Sequence, residues 1–185
     1  MSIVELFILA VGLSMDAFAV AVCIGLSFPK VSKKEPLIVG FYFGLFQAAM
    51  PLVGYMAARM FADMIIAYDH WVAFALLCFL GGKMIFVSIR DRGCECEEAS
   101  LRPADMLPFA IATSVDALAV GISLAFLRAS IVPAVLLIGV VTFLISVIGV
   151  KIGKRLGLGL KTKAELFGGV VLILIGLKIL TEHIS

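Results

Sequence analysis

Two aspartates lie within apolar segments that are each long enough to cross a membrane. Asp16 lies in Ser14-Met15-Asp16-Ala17-Phe18-Ala19-Val20, and Asp116 lies one hundred positions later in Ser114-Val115-Asp116-Ala117-Leu118-Ala119-Val120. An aspartate at the centre of a membrane helix costs roughly 2.5 to 3.5 kcal/mol on insertion scales, so such a residue indicates a functional site. Two carboxylates in low-dielectric surroundings are suited to bind a hard divalent cation, because together they neutralise its charge.

Further oxygen atoms are expected near these acids. Pro51 has no N–H and so leaves the backbone carbonyl of Gln47 without its helical partner. Gln47 then offers a side-chain and a backbone oxygen from a broken second helix, or else it bonds a neighbouring helix across a simple kink. Thr113 adds a hydroxyl close to Asp116. We predict a metal site made of Asp16, Asp116, Gln47, Thr113 and water.

Three neighbours of the acids are weaker candidates. Ser14 and Ser114 lie two residues before their aspartates, so on a regular helix they point elsewhere, and we expect them to hydrogen-bond between helices. Met15 offers a soft thioether that favours a transition metal, but its counterpart in the second motif is Val115, and packing is the simpler role. Lys83 and Lys178 are predicted to extend to the membrane interface.

The composition indicates an integral membrane protein. Of 185 residues, 63% are hydrophobic and 15% are charged, which excludes a soluble domain, a disordered chain and a nucleic-acid surface. No nucleotide-binding or catalytic motif is present, so we expect neither an enzyme nor a bound cofactor. The predicted fold is all-α, with six transmembrane helices near residues 3–26, 36–58, 70–90, 106–127, 132–152 and 164–182.

The helices form a repeat. Gly40 and Gly54 in the second helix correspond to Gly139 and Gly153 in the fifth, which extends the likeness beyond the aspartate motifs. Because each unit has three helices, the second must cross the membrane in the opposite direction, as in secondary transporters whose substrate site lies at the midplane. We predict repeats at 1–90 and 106–185, a linker at 91–105, and a crossing of the first and fourth helices at the acids. Glycine faces also suit a homodimer.

The loops suggest an orientation. Basic residues concentrate in and beside 27–35, 91–105 and 153–163, which places these loops in the cytoplasm and both termini outside. Cys94 and Cys96 alternate with acidic residues in the central loop. They either capture a metal or form an ordinary solvated acidic loop, and the second interpretation is favoured.

The residues also resemble a known family, the bacterial MntP-type manganese efflux pumps of the lysine-exporter superfamily. The resemblance spans nearly the whole chain and implies Mn²⁺ export across the cytoplasmic (inner) membrane, with Asp16 and Asp116 as the matching acids. Some relatives carry a glutamate where this chain has Gln47, and Glu165 matches the sixth helix of the family as a cytoplasmic rim residue. The matching segments are Ser14–Ala19, His70-Trp71, Phe79–Ile85, Ala110–Ala117 and Lys163–Glu165.

Three functions remain open at this point. The leading hypothesis is a secondary exporter in which Mn²⁺ displaces protons from Asp16 and Asp116. A second is an exporter of another divalent cation or of a cationic amino acid, whose ammonium group would meet the paired acids. A third is a transmembrane thiol oxidoreductase, but Cys23 has no cysteine counterpart in the fourth helix.

Overall fold

Every predicted membrane segment forms a helix. The computed structural model describes residues 3–28, 34–61, 69–90, 101–127, 129–156 and 159–184. Helix bounds lie within five residues of the predicted segments, and no strand occurs in the described ranges. The helices are α1 (Ile3–Ser27), α2 (Lys34–Phe61), α3 (Asp69–Arg90), α4 (Pro103–Phe126), α5 (Ile131–Leu156) and α6 (Gly159–Ile184).

Four of the described helices have the length and composition of membrane spans. Within the described residues, α1, α2, α4 and α5 are long and apolar enough to cross a bilayer, and α6 contains a shorter apolar stretch, Leu166–Lys178. Large apolar side chains such as Phe7, Phe41 and Leu144 are exposed on the outside of the bundle. Because lipid cannot hydrogen-bond the backbone, helices with apolar outer faces are the expected solution.

Each helix packs mainly against helices of the other half of the chain. α1 packs on α5 and α6, α4 packs on α2 and α3, and the pairs α2·α5 and α3·α6 complete the bundle. Exchanging α1 with α4, α2 with α5 and α3 with α6 converts this set of pairs into itself. α1 and α4 contact each other directly only over a short stretch.

The α2·α5 contact also has a symmetric register. Its glycine contacts join Gly40 to Phe143 and Val147, and Gly139 to Gly44 and Ala48. Each α2 residue in this set lies 99 positions before its α5 counterpart, so exchanging the halves maps the contact onto itself. Gly40 and Gly44 thus pack against α5 of the same chain, and the homodimer stays a prediction.

The α2·α4 contact brings two backbones together. A Cβ atom on Gly54 would lie 2.1 Å from the Leu118 carbonyl oxygen, and one on Gly121 would lie 2.0 Å from the Pro51 carbonyl oxygen. Only glycine fits at such distances. α2 is one continuous helix through Pro51, so of the two predicted alternatives the broken helix is wrong. Pro51 is buried, with its carbonyl against Gly121 of α4.

The equivalent α1·α5 contact is shifted by one turn. A Cβ on Gly153, the counterpart of Gly54, would lie 2.4 Å from the Val22 carbonyl oxygen, and one on Gly25 would lie 2.2 Å from that of Val150. Val22 corresponds to Ile122, which is four residues beyond Leu118. The two equivalent interfaces therefore have registers that differ by about one helical turn.

Candidate functional site

Asp116 is a buried carboxylate with one partnered oxygen. Its side chain is only 8% exposed, and Oδ1 accepts a hydrogen bond of 3.0 Å from Nζ of Lys83 on α3. The second oxygen, Oδ2, is buried and has no hydrogen-bond partner among the described residues. An acceptor of this kind is unfavourable in an apolar interior and is well suited to a cation.

Lys83 corrects one sequence prediction. Its ammonium group meets Asp116 rather than extending to the membrane interface, because a buried carboxylate in reach offers a stronger interaction. The Lys83 side chain itself is 47% exposed. Lys178, which occupies a similar place on α6, donates to Oε1 of Glu5 in the first turn of α1.

Gln47 connects α2 to α1 beside the first aspartate. The side chain is fully buried, and Nε2 donates to the backbone oxygen of Leu13 at 3.1 Å, three residues before Asp16. Gln47 therefore bonds a neighbouring helix, which was one of its two predicted roles. Its amide oxygen, Oε1, is buried without a partner in the described part of the chain and is available to a cation.

The hydroxyls near the acids bond to their own helices. Ser14 donates to the carbonyl of Val11 at 2.8 Å, and Ser114 donates to that of Ala110 at 2.6 Å, so the prediction of bonds between helices is wrong. Thr113 likewise donates to carbonyls of its preceding turn. In apolar surroundings the nearest carbonyl is in the same helix. All three oxygens keep lone pairs that can still face a ligand.

Two further hydroxyls on α5 were not identified from the sequence. Thr142 and Ser146 are fully buried, and neither hydroxyl oxygen has a partner within the described ranges. Ser146 lies 99 positions after Gln47 and one turn before Val150, which contacts α1. The repeat offset between α2 and α5, applied to Gln47, would have found Ser146.

The other sequence candidates fall in three groups. Asp16 is partly buried on α1. Met15 is partly buried and packs against the hydrophobic core, which agrees with a packing role. The side chain of Glu165 on α6, and the whole of the segment with Cys94 and Cys96, lie outside the described part of the structure.

These groups offer oxygen ligands alone. Among the described residues, no three His, Cys, Asp or Glu side chains cluster closely enough to hold a metal. Apart from Oε2 of Glu35 in the first turn of α2, the unpartnered buried oxygens of the described residues belong to one carboxylate, one amide and two hydroxyls on α2, α4 and α5. Carboxylate and neutral oxygens are the ligands preferred by hard divalent cations.

A buried and a partly buried aspartate within long apolar helices are typical of one class, the polytopic membrane transport proteins. Within that class, the chain belongs to the family whose model carries the description "Putative manganese efflux pump" and matches residues 30–180. This confirms the resemblance seen in the sequence. The family is one of transporters rather than enzymes.

Several curated relatives carry the same description under the name MntP. The relative from Desulfitobacterium hafniense is 56% identical over 182 residues, covering 98% of this chain and 95% of its own length. The relative from Acetivibrio thermocellus is 48% identical, covering 100% of this chain and 93% of its own length. One from Clostridium perfringens is 46% identical, covering 99% of this chain and 96% of its own length. No solved structure matches the chain.

Proposed function

We propose that this chain exports Mn²⁺ across the bacterial cytoplasmic membrane as a secondary transporter, with the ion bound between Asp16 and Asp116. Family membership supports the substrate. The observation that carries the site is the buried Oδ2 of Asp116, which has no partner in the described residues. Asp116 lies on α4, a helix long and apolar enough to cross a membrane.

The proposed ligand set mixes charged and neutral oxygens. Asp16 and Asp116 balance the 2+ charge, and the amide oxygen of Gln47 is the first neutral ligand. Thr142 and Ser146 add hydroxyl oxygens from α5, since both are buried and unpartnered among described residues. Thr113, Ser14, Ser114 and Glu165 remain further candidates from the sequence. Such a set favours a hard dication over a soft metal.

The two halves are proposed to be inverted repeats that alternate between two arrangements. The helix pairs and the α2·α5 contact map onto themselves when the halves are exchanged, which supports the repeat. The α1·α5 and α2·α4 contacts, however, differ in register by about one turn. We infer that exchanging these two registers opens the site to the opposite side of the membrane, as expected for inverted-repeat transporters.

The contact between Glu5 and Lys178 supports an arrangement of the termini. It joins the first turn of α1 to the last two turns of α6, so these two ends lie on the same side of the bundle. The positive-inside rule assigns that side to the exterior and the basic loops to the cytoplasm.

The main experiment measures Mn²⁺ accumulation in Mn²⁺-loaded cells that express wild type, Asp16→Asn or Asp116→Asn at matched protein levels. Both variants are expected to reduce efflux at least about tenfold, because each removes half of the charge that balances the ion. Normal efflux by both variants would contradict the proposed site.

Export of a cationic amino acid is the second candidate. The observation in its favour is that Asp116 already accepts an ammonium group, that of Lys83, at 3.0 Å. Efflux of radioactive Mn²⁺ from vesicles, measured with and without excess free lysine, separates the two. We expect no inhibition by lysine, and strong inhibition would favour the amino-acid substrate.

A further inference from the structure

We propose that Lys83 is a tethered cation that occupies Asp116 when no metal is bound and must leave before Mn²⁺ can bind fully. This inference rests on the proposed function, since it concerns the same carboxylate. It assigns to Lys83 a role in setting metal affinity and in the return of the empty transporter.

The two aspartates balance the charge of Mn²⁺ alone, and not that of Mn²⁺ together with Lys83. Asp16 and Asp116 carry two negative charges, so one Mn²⁺ makes the site neutral, whereas Mn²⁺ together with Lys83 leaves an excess positive charge in a low-dielectric interior. An uncompensated buried charge is strongly unfavourable. Metal and lysine therefore compete for Asp116, and the lysine covers part of the negative charge once the metal has gone.

Lys83 holds Asp116 through one carboxylate oxygen and has room to move away from it. The ammonium lies 3.0 Å from Oδ1 of Asp116, so it holds one carboxylate oxygen that a metal would use. The Lys83 side chain as a whole is 47% exposed, so about half of it is not packed against the described residues. Lys83 lies seven residues before the end of α3 at Arg90, within reach of the membrane interface for a long flexible side chain. The interface is its second position when Mn²⁺ occupies the acids.

The competition has opposite effects on binding and on transport. Removing the Lys83 charge makes the empty site more negative, which tightens Mn²⁺ binding. The same change slows release and leaves the returning empty carrier with more uncompensated charge. A residue of purely structural importance would instead weaken binding and transport together.

The test uses the full chain in lipid nanodiscs and in proteoliposomes. Mn²⁺ binding is followed by loss of the electron paramagnetic resonance signal of free Mn²⁺, and efflux kinetics give KM and the maximal rate. For Lys83→Met we expect Kd and KM to fall about tenfold while the maximal rate also falls about tenfold. Lys83→Arg, which keeps the charge, is expected to stay within about threefold of wild type in each quantity.

Lys178→Met is the matched control, because it removes a lysine of similar position that contacts Glu5 instead of Asp116. Its Kd is expected to stay within about twofold of wild type. Lys83→Gln provides a second uncharged variant in case Lys83→Met does not accumulate. Unchanged or weaker Mn²⁺ binding in the uncharged Lys83 variants, relative to Lys178→Met, would overturn the proposal.

Asp116→Asn distinguishes failure of the Lys83 proposal from failure of the proposed metal site. If Asp116→Asn loses Mn²⁺ binding while the uncharged Lys83 variants bind as wild type does, the role of Lys83 is refuted and the site stands. If Asp116→Asn binds Mn²⁺ normally, the site is refuted, and the role of Lys83 with it.

Discussion

Ser146 on α5 occupies the position equivalent to Gln47 on α2, and both side chains are fully buried with an oxygen that lacks a partner among the described residues. The two halves of the chain thus each supply a buried neutral oxygen at equivalent positions of the repeat.

Removing these neutral oxygens should weaken metal binding. We expect Gln47→Leu and Ser146→Ala each to raise the Kd for Mn²⁺ about three- to tenfold, since each deletes one ligand of several and leaves the charge unchanged. Binding to the purified proteins in nanodiscs provides the measurement. Ser123→Ala is the control, because Ser123 is equally buried in α4 but already donates to the carbonyl of Ala119.

The glycine contacts between α2 and α4 should not tolerate a methyl group. Gly54→Ala and Gly121→Ala are each expected to destabilise the protein by about 1 to 3 kcal/mol or more, because the new Cβ would overlap a carbonyl oxygen. Thermal unfolding in detergent measures the effect. Gly82→Ala serves as the control, since a Cβ there meets nothing within 4 Å among the described atoms. Equal stability of all three variants would contradict the close contact.

Transport should depend on a gradient. We expect Mn²⁺ efflux from proteoliposomes to rise several-fold when a pH gradient is imposed at constant membrane potential, because carboxylates that release a metal can take up protons instead. The measurement compares initial rates with and without the gradient. Identical rates would exclude protons as the coupling ion without affecting the choice of substrate.

Both termini should be accessible from outside the cell. Short peptide tags on the two ends, probed in intact cells with an antibody, are both expected to react, while a tag inserted within 91–105 is expected to react only after permeabilisation. Opposite accessibility of the two ends would contradict the contact between Glu5 and Lys178.

The register difference predicts a movement of α1 along α5. Spin labels at Val4 and Val132, both exposed near the start of their helices, should give two distance populations whose ratio changes with a hard diamagnetic divalent cation such as Mg²⁺. Labels at Phe41 and Leu136 across α2·α5 provide the control, because that contact maps onto itself. A single distance population between the labels at Val4 and Val132 that does not change with the cation would argue against exchange of the two registers.

Sequence reasoning succeeded where the physics is local. The length of an apolar stretch sets the length of a membrane helix, so the bounds of α1 to α6 were predicted within five residues. Asp116 was identified as a functional acid because the free-energy cost of a carboxylate within a membrane helix can be recognised without knowing its partner. Thr142 and Ser146 were missed because hydroxyls are common and inexpensive in apolar helices, and only burial without a partner distinguishes them.

The failures concern contacts between helices. Lys83 was assigned to the interface from its distance to the end of its own helix, but a carboxylate on α4 decides its position. For Pro51, a broken α2 and a simple kink were both left open; α2 is continuous, and the Pro51 carbonyl lies against Gly121 of α4. Neither partner can be deduced from the sequence around the residue, since both depend on which helices become neighbours.

The close glycine contacts between α2 and α4 affect how these helices can slide past each other. Helices usually interlock by setting ridges of side chains into grooves, and sliding then requires those side chains to change rotamer. At Gly54 and Gly121 the backbone instead faces a carbonyl oxygen with no side chain between them. A displacement of one turn, roughly 5.4 Å, would bring Ala125 in place of Gly121 opposite the Pro51 carbonyl, so α2 and α4 must first move apart before they can slide.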